Sequence, residues 1–530
     1  MTDRQLLIRQ LLWRATRVFG DREVVTRVAG NYHRHTYADL GVRARQLAEA
    51  LQALGVVAGD RVATLAWNTH KHLEAFFGVP CIGASLHTVN PRLFPAQINS
   101  IMNRTGDKVL LLDADQIPLV EQLASELKTI RAYVILDSSE ASATSLSPVY
   151  DYEDLLTGQL GQLPWPDLHE STPAIICHTS GTTGDPKSVV YSHRTIVLNS
   201  LLLAVHGSLG IHQDHTFLSI SPMFHATAAG VPYAAAMQGA KLVLPGIHPE
   251  SQHYLELIEH ERVTHAVSAV TVGVMMRHAI EGASRDYDLS SLEALWLGGQ
   301  TPPQGLIDWW HNRYGVNVLV SWGMTETPAT FLTARRGVSS GGASGTTQGL
   351  PLPLIELKVV NDAGKELPWD GESDGEYCVR APTLACEDSE DPNYYDGWFH
   401  TGDIGVIDPD GYLQLTDRAK DMIKSGGEWI SSVKLENALM SYPNVIEASV
   451  VAILHEQWLE RPLACIVSTE PVSHQELNTY LAERFPRWWL PDDYVFLREI
   501  PRTSVGKFDK KLLRARFTDP ANRQPLRHEP

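Results

Sequence analysis

Strand-like and helix-like patterns alternate along the first half of the chain. No other feature constrains the fold as much, because strands joined by helices pack as parallel sheets with helices on their faces. Thr36 and Asp39 have the spacing of a capping box. Leu40, Ala44, Leu47, Leu51 and Leu54 then fall on one helix face, with Gly55 as the stop. Short apolar runs at residues 61–66, 108–112 and 132–136 are expected strands with helices between them. No repeat at solenoid spacing is present. Residues 336–349, rich in Ser, Gly and Thr, and the acidic, polar residues 385–397 read as loops.

At 530 residues the chain exceeds one ordinary domain. The boundary is expected near Asp417, giving a large unit at 1–416 and a small one at 417–530. Before it, Asp408-Pro-Asp-Gly411 is a turn and residues 412–415 a hairpin strand. After it, strands at 448–454 and 463–468 and a helix around 475–485 make up a unit of about 110 residues, an ordinary domain size. The net charge of −18 argues against a nucleic-acid groove and an anionic membrane surface, but leaves room for a local basic pocket around a nucleotide. Asp3, Arg4 and Arg9 interrupt the apolar N-terminus, so it does not read as a signal peptide. Residues 215–240 lack Asp, Glu, Lys and Arg, but their prolines and glycines suit a buried, irregular wall better than a membrane span. The five cysteines show neither zinc-site spacing nor a disulfide framework, which points to a reducing cytoplasm.

Thr179-Ser-Gly-Thr-Thr-Gly-Asp-Pro-Lys-Ser188 follows an apolar strand-like run. Glycines let backbone N–H groups approach an anion, hydroxyls add donors and lysine adds charge. Pro186 stands where a Walker A loop needs glycine, so the segment is not that motif. By composition alone, a polar surface loop is an equal reading.

Trp322-Gly-Met-Thr-Glu326, Thr401-Gly-Asp403, Asp417-Arg418, Lys424-Ser-Gly-Gly-Glu-Trp-Ile430 and Pro501-Arg-Thr-Ser-Val-Gly-Lys507 follow in that order. With the 179–188 segment they resemble the adenylate-forming superfamily of acyl-CoA synthetases, adenylation domains and luciferases, and within it the fatty-acyl-CoA synthetase branch. The resemblance implies an α/β fold: a large domain of two α/β subdomains plus a distorted β-barrel, and a small mobile α+β C-terminal domain. It implies a reaction of a carboxylic acid with ATP, Mg²⁺ and coenzyme A, giving acyl-CoA, AMP and pyrophosphate, in a cytoplasmic protein with no nucleic-acid partner and no integral membrane association; a homodimer is the expectation from fatty-acyl relatives. It assigns Thr179, Ser180, Gly181, Thr182, Thr183, Gly184 and Lys187 to the β- and γ-phosphates, Thr325 to the α-phosphate and Glu326 to Mg²⁺, for which a hard oxygen ligand is apt. Trp322 takes the place of the adenine-stacking aromatic, and Gly298, Gly299 and Gln300 border adenine and the acyl pocket. Asp403 would accept the ribose hydroxyls with help from Arg418, and Asp417 would be the hinge. Gly426, Gly427 and Trp429 would line the pantetheine tunnel. Lys507 would stabilise charge building on phosphorus in the transition state. His225 matches a residue near the bound carboxylate, as a general base or as pocket wall.

The sequence departs from the family pattern at Ser188, where glycine is usual, and at Ala229, where fatty-acyl relatives often carry a gating tryptophan. It departs again in the shortened acidic stretch 387–391 and at Val270, where the family's proline before Thr271 is missing. Ala229 leaves room for a wide acid. A side chain at 188 in a tight phosphate turn could hinder ATP or merely add a hydroxyl, and the clustering of these departures on acyl pocket and phosphate loop raises the alternative of an enzyme specialised for thioesterifying a ready-made acyl-adenylate. Loading of a carrier-protein thiol, and non-catalytic adenylate binding, are the other rivals. Retention of Lys507 and Glu326 speaks against the last.

Overall fold

The computed structural model describes residues 4–28, 30–137, 144–179, 187–225, 230–328, 332–334, 347–385, 393–426, 428–503 and 508–519. The alternation read from the sequence is realised as two largely parallel sheets. In the larger, Asn317–Trp322, Ala294–Gly298, His265–Ala269, Thr216–Ser219, Lys241–Leu244 and Glu23–Val28 lie side by side in parallel. Antiparallel strands extend it at both edges, Asn31–Thr36 at one and Leu332–Ala334 with Leu350–Pro351 at the other. The second sheet runs Val149–Asp151, Ala132–Ile135, Val109–Leu112, Arg61–Leu65, Ser85–Thr88 and Pro173–His178 in parallel, and ends on antiparallel Ser188–Ser192. Three of these strands fall within a residue of the apolar runs that foretold them.

The first predicted helix forms at Tyr37–Ala53. Thr36 Oγ1 accepts from Asp39 N at 3.2 Å and Asp39 Oδ2 accepts from Thr36 N at 2.8 Å, the reciprocal pair of a capping box. Past its end, Gly55 at φ +85° lets Val56 N reach back to Leu51 O at 3.0 Å. Leu40, Ala44, Leu47 and Leu51 enter the same core as Phe76 and Phe77. Residues 215–240 are more regular than expected, with the strand Thr216–Ser219 and the helix Val231–Gln238. Pro232 sits in that helix's first turn, where a missing N–H costs nothing. Gly239 ends it at φ +72°, where a Cβ would come within 2.2 Å of the Phe19 ring. Among the described residues no helix is long and apolar enough to cross a membrane.

The expected distorted barrel takes the form, among the described residues, of a five-stranded antiparallel sheet. Glu356–Val360 pairs with Gly375–Arg380, which pairs with Trp398–Ile407; both Tyr394–Tyr395 and Leu413–Arg418 pair with Trp398–Ile407. Its inner face (Leu357, Val359, Tyr377, Val379, Phe399) shares a core with Trp322 and Leu332. The turn at 408–411 is held by Asp408 Oδ1, which accepts from Asp410 N and Tyr412 N at 3.0 and 2.8 Å. The C-terminal α+β unit has its own sheet of Glu428–Ile430, Ile423–Ser425, Leu459–Ser468, Val445–His455 and Asp493–Phe496. Helices Ser432–Met440, His474–Ala482 and Lys510–Phe517 accompany it, and its two apolar clusters draw only on residues 423–517.

Candidate active site

Parallel strands in register bring their carboxyl ends to one rim, and in open α/β sheets the crevice beyond that rim is where ligands bind. Here the strands Thr216–Ser219, His265–Ala269, Ala294–Gly298 and Asn317–Trp322 end together, Ala269 opposite Gly298 and Gly298 opposite Ser321. Four of the segments singled out in the sequence start at this rim. Gly298 lies so near Ser321 that a Cβ would stand 3.1 Å from its Oγ, and Gly299 turns away at φ +89° with Gln300 following. Val270 opens the helix Val270–Glu281 and is buried in the core of the larger sheet. The loop 222–225 carries His225, whose N–H donates to Pro222 O at 3.0 Å.

That loop is braced by a residue the sequence did not single out. Asn68, buried at the end of the neighbouring sheet's strand Arg61–Leu65, donates from Nδ2 to Ser219 O and Ser221 O at 2.9 and 2.8 Å. Its Oδ1 accepts from Met223 N at 2.7 Å. One side chain thus satisfies three backbone groups where the two sheets meet.

The turn after Trp322 is closed by Thr327, whose Oγ1 accepts from Met324 N at 2.8 Å and lies 3.1 Å from Met324 O. Thr325 and Glu326 fall between. Tyr191 donates its hydroxyl to Thr325 O at 2.5 Å, and Ala385 N donates to Glu326 O at 2.9 Å. Tyr191 belongs to the strand paired with Pro173–His178, so this bond ties the 179–188 hairpin to the end of Asn317–Trp322. Thr179 and Lys187 close the base of that hairpin: Thr179 N donates to Lys187 O at 2.9 Å, and Lys187 N to Thr179 Oγ1 at 3.2 Å. Ser180, Gly181, Thr182, Thr183 and Gly184 lie outside the described residues. Ser188 is not in the tight turn that its departure from glycine called into question. It pairs opposite His178 in an extended strand, a conformation any side chain adopts.

Beneath the hairpin runs a buried polar chain. His178 Nδ1 is 3.1 Å from His87 Nε2, and His87 Nδ1 is 2.7 Å from Asp107 Oδ2. Burial, reinforced by His87 and Arg104, pushes His178 down to about 3, so its ring is neutral at pH 7.

Asp403 is 2% exposed on the strand Trp398–Ile407. Its Oδ2 accepts from Trp322 Nε1 at 2.9 Å and, more weakly, from the Tyr377 hydroxyl at 3.5 Å. Arg418 Nε is 2.9 Å from Oδ1, but Oδ1 receives no aligned hydrogen bond, so the contact is an ion pair approached off the N–H axis. The Asp403 charge raises the Arg418 guanidinium above its usual range, against the opposing effect of burial. Trp322 was read as an adenine platform; its N–H edge is committed to Asp403, and Tyr377 meets its ring edge-on at 4.8 Å.

The neighbouring Asp417 is spent otherwise. Its Oδ2 accepts from Ser432 N at 2.6 Å, Ser432 Oγ at 2.7 Å and Val433 N at 3.3 Å, and its Oδ1 from Arg418 N at 2.7 Å. It thereby serves the first N–H groups of the helix Ser432–Met440, which otherwise lack partners. Lys510 Nζ closes the cluster, 2.6 Å from Ser432 Oγ and 2.8 Å from Glu436.

A family model described as AMP-binding enzyme matches residues 12–386, and one described as AMP-binding enzyme C-terminal domain matches residues 434–507. The chain belongs to the AMP-binding enzyme family. This AMP-binding enzyme is 42% identical over 533 residues to a long-chain-fatty-acid–CoA ligase of Thermus thermophilus, covering 98% of this chain and 96% of the relative. It is 39% identical to a medium-chain-fatty-acid–CoA ligase of Ectopseudomonas oleovorans, covering 98% and 97%. Among solved structures it is similar to an anthranilate CoA ligase in complex with anthranoyl-AMP, with a TM-score of 0.87 and 25% identity, covering 97% of this chain and 98% of the other.

The remaining candidate residues are Gly426, Gly427, Trp429, Ala229 and Lys507. Gly426 adopts φ +61°, donates to Trp458 O at 2.9 Å, and faces the Trp458 ring so closely that a Cβ would stand 2.9 Å from it. Trp429 is 47% exposed, with Lys424 Nζ 5.1 Å from its ring centre. Gly427, Ala229 and Lys507 lie outside the described residues. On either side of the last, Arg502 and Phe508 form an antiparallel bridge. Tyr191, Tyr377 and Asn68 escaped the sequence reading because each acts through long-range bonds, which leave no local pattern.

Proposed function

We propose that the crevice beyond the parallel strands is where this AMP-binding enzyme joins a fatty or bulky carboxylic acid to the AMP moiety of ATP, releasing pyrophosphate, and then transfers the acyl group to the thiol of coenzyme A, releasing AMP. The enzyme is an acid–thiol ligase of the AMP-forming kind. ATP and coenzyme A are its co-substrates, and the relatives in Thermus thermophilus and Ectopseudomonas oleovorans, named for long- and medium-chain fatty acids, support a fatty acyl substrate. The observation that carries this reading is Asp403: a buried carboxylate with one oxygen fixed by Trp322 and the other lacking an aligned donor suits the vicinal hydroxyls of a ribose.

The other roles rest on the resemblance of the motifs. The hairpin closed by Thr179 and Lys187 receives the β- and γ-phosphates, and Ser180, Gly181, Thr182, Thr183 and Gly184 belong to the same loop. Thr325 faces the α-phosphate. Glu326 beside it, on the turn pinned by Thr327, offers the hard oxygen donor that Mg²⁺ prefers, so the residues present fit that ion. When bound, Mg²⁺ neutralises phosphate charge. Lys507 supplies positive charge where it builds on phosphorus, Gly426, Gly427 and Trp429 serve the pantetheine arm, and His225, Ala229, Gly298 and Val270 belong to the acyl side. The unit from Asp417 onward turns about that residue between the two half-reactions. We assign the enzyme to the cytoplasm, as a homodimer.

ATP–pyrophosphate exchange with a series of fatty acids tests the reading. Exchange dependent on the acid and lowered at least about 100-fold in Lys507→Ala is expected, the scale of losing one transition-state electrostatic contact. Absence of exchange with every acid, or full exchange in Lys507→Ala, would overturn it.

A further inference from the structure

The outer face of the five-stranded antiparallel sheet carries a cluster of three side chains with metal-ligating atoms. Glu376 and Cys378 are two residues apart on the strand Gly375–Arg380, hence on one face, and Cys378 is directly opposite His400 on Trp398–Ile407. Their side chains converge: Cys378 Sγ is 3.3 and 3.6 Å from the two His400 ring nitrogens, and Glu376 Oε2 is 3.0 Å from His400 Nδ1. One ligand atom from each residue falls within 4.8 Å of the other two. Tetrahedral zinc with ordinary bond lengths sets its sulfur and nitrogen ligands about 3.5 Å apart, so Cys378 and His400 already stand at that spacing. Tyr395 stacks on the His400 ring at 3.7 Å and places its hydroxyl 2.8 Å from Nδ1, and its half-exposed side chain forms a displaceable cover.

We infer that Glu376, Cys378 and His400 form a binding site for a borderline-soft divalent cation of the zinc class, with the fourth position open to water or to the Tyr395 hydroxyl. A thiolate, an imidazole and a carboxylate are the donor set that such ions choose over Mg²⁺. Binding replaces the thiol proton by a metal–sulfur bond and releases that proton to solvent. The cations nearby are engaged elsewhere: Lys358 Nζ stands 4.5 Å from the centre of the Trp398 ring, and Arg380, over the same ring, pairs with Glu356. Glu376 brings its own support, since its Oε1 accepts from Gly402 N at 2.9 Å and so orients the ligating oxygen.

Co²⁺ titration of the full-length protein reads the site without reference to ligase activity. One equivalent should bind with thiolate-to-cobalt charge-transfer absorption in the near ultraviolet, and Zn²⁺ should displace it. Cys378→Ser should abolish the band, and His400→Gln should weaken Co²⁺ affinity at least about tenfold. Each variant is first checked for the cooperative melting of the unaltered protein. Should Cys378→Ser not fold, Glu376→Gln, which keeps the thiol, decides by the same tenfold criterion. A protein that develops no band, or a band that persists in Cys378→Ser and so belongs to another cysteine, would overturn the site and leave the three residues as a hydrogen-bonded cluster only.

Discussion

Asp403 and Asp417 lie on paired strands, opposite the adjacent residues Arg418 and Ile404, and are 2% and 4% exposed. Burial costs an ionised carboxylate several kcal/mol unless charge or hydrogen bonds compensate. Asp417 is compensated in full by the backbone and side chain of Ser432, with Val433 N and Arg418 N completing the set. Asp403 is compensated in part, with Oδ1 facing Arg418 without an aligned donor. The difference separates a carboxylate that holds two parts of the chain together from one that keeps hydrogen-bonding capacity, as the proposed ribose role requires.

Substitution at the two positions should therefore produce opposite signatures. With Asp403 in the proposed ribose role, Asp403→Ala removes charge-assisted hydrogen bonds at about 1.5–3 kcal/mol each, so ATP–pyrophosphate exchange should fall by about 10²-fold or more in kcat/KM for ATP. Asp417→Ala strips the start of the helix Ser432–Met440 of its acceptor and leaves Lys510 with one fewer counter-charge. It should cost about 3 kcal/mol, read as a lower melting temperature and faster proteolysis between 417 and 432, while exchange falls less than about tenfold. Equal losses of exchange at both sites would erase the distinction.

Smaller changes sharpen it. Trp322→Phe keeps an aromatic ring and deletes only the N–H that fixes Asp403 Oδ2; the KM for ATP should rise by about tenfold, the value of one hydrogen bond to a charged group. Tyr191→Phe removes the bond to Thr325 O and should lower exchange by about three- to fivefold through looser placement of the 324–327 turn. A Trp322→Phe enzyme with unaltered KM would show that the indole N–H does not orient Asp403.

How far the site was legible in the sequence follows the reach of each interaction. The helix Tyr37–Ala53 was readable from its own cap and apolar stripe, because both are local. Residues 412–415 were read as a short strand, but pairing with Trp398–Ile407 carries it on through Thr416, Asp417 and Arg418, polar residues that give no strand pattern by themselves. The short motifs named Trp322, Thr325, Glu326, Asp403 and Arg418. They did not show that Trp322 donates to Asp403 across 81 positions, that Tyr191 reaches Thr325 across 134, or that Asn68 braces Ser219 across 151. Such bonds depend on which strand ends the topology brings together. The departure at Ser188 looked obstructive for the same reason: only the pairing with His178 shows that it lies in an extended strand.

The ribose role of Asp403 is tested most directly by comparing ATP with 2′-deoxy-ATP and 3′-deoxy-ATP in exchange assays on the unaltered enzyme, Asp403→Asn and Asp417→Asn. Removing a ribose hydroxyl should lower kcat/KM at least about tenfold in the unaltered enzyme and in Asp417→Asn, and this penalty should largely disappear in Asp403→Asn, where the charged acceptor is already gone. A deoxy penalty of the same size in Asp403→Asn would contradict it, since the ribose would then be held by some other group.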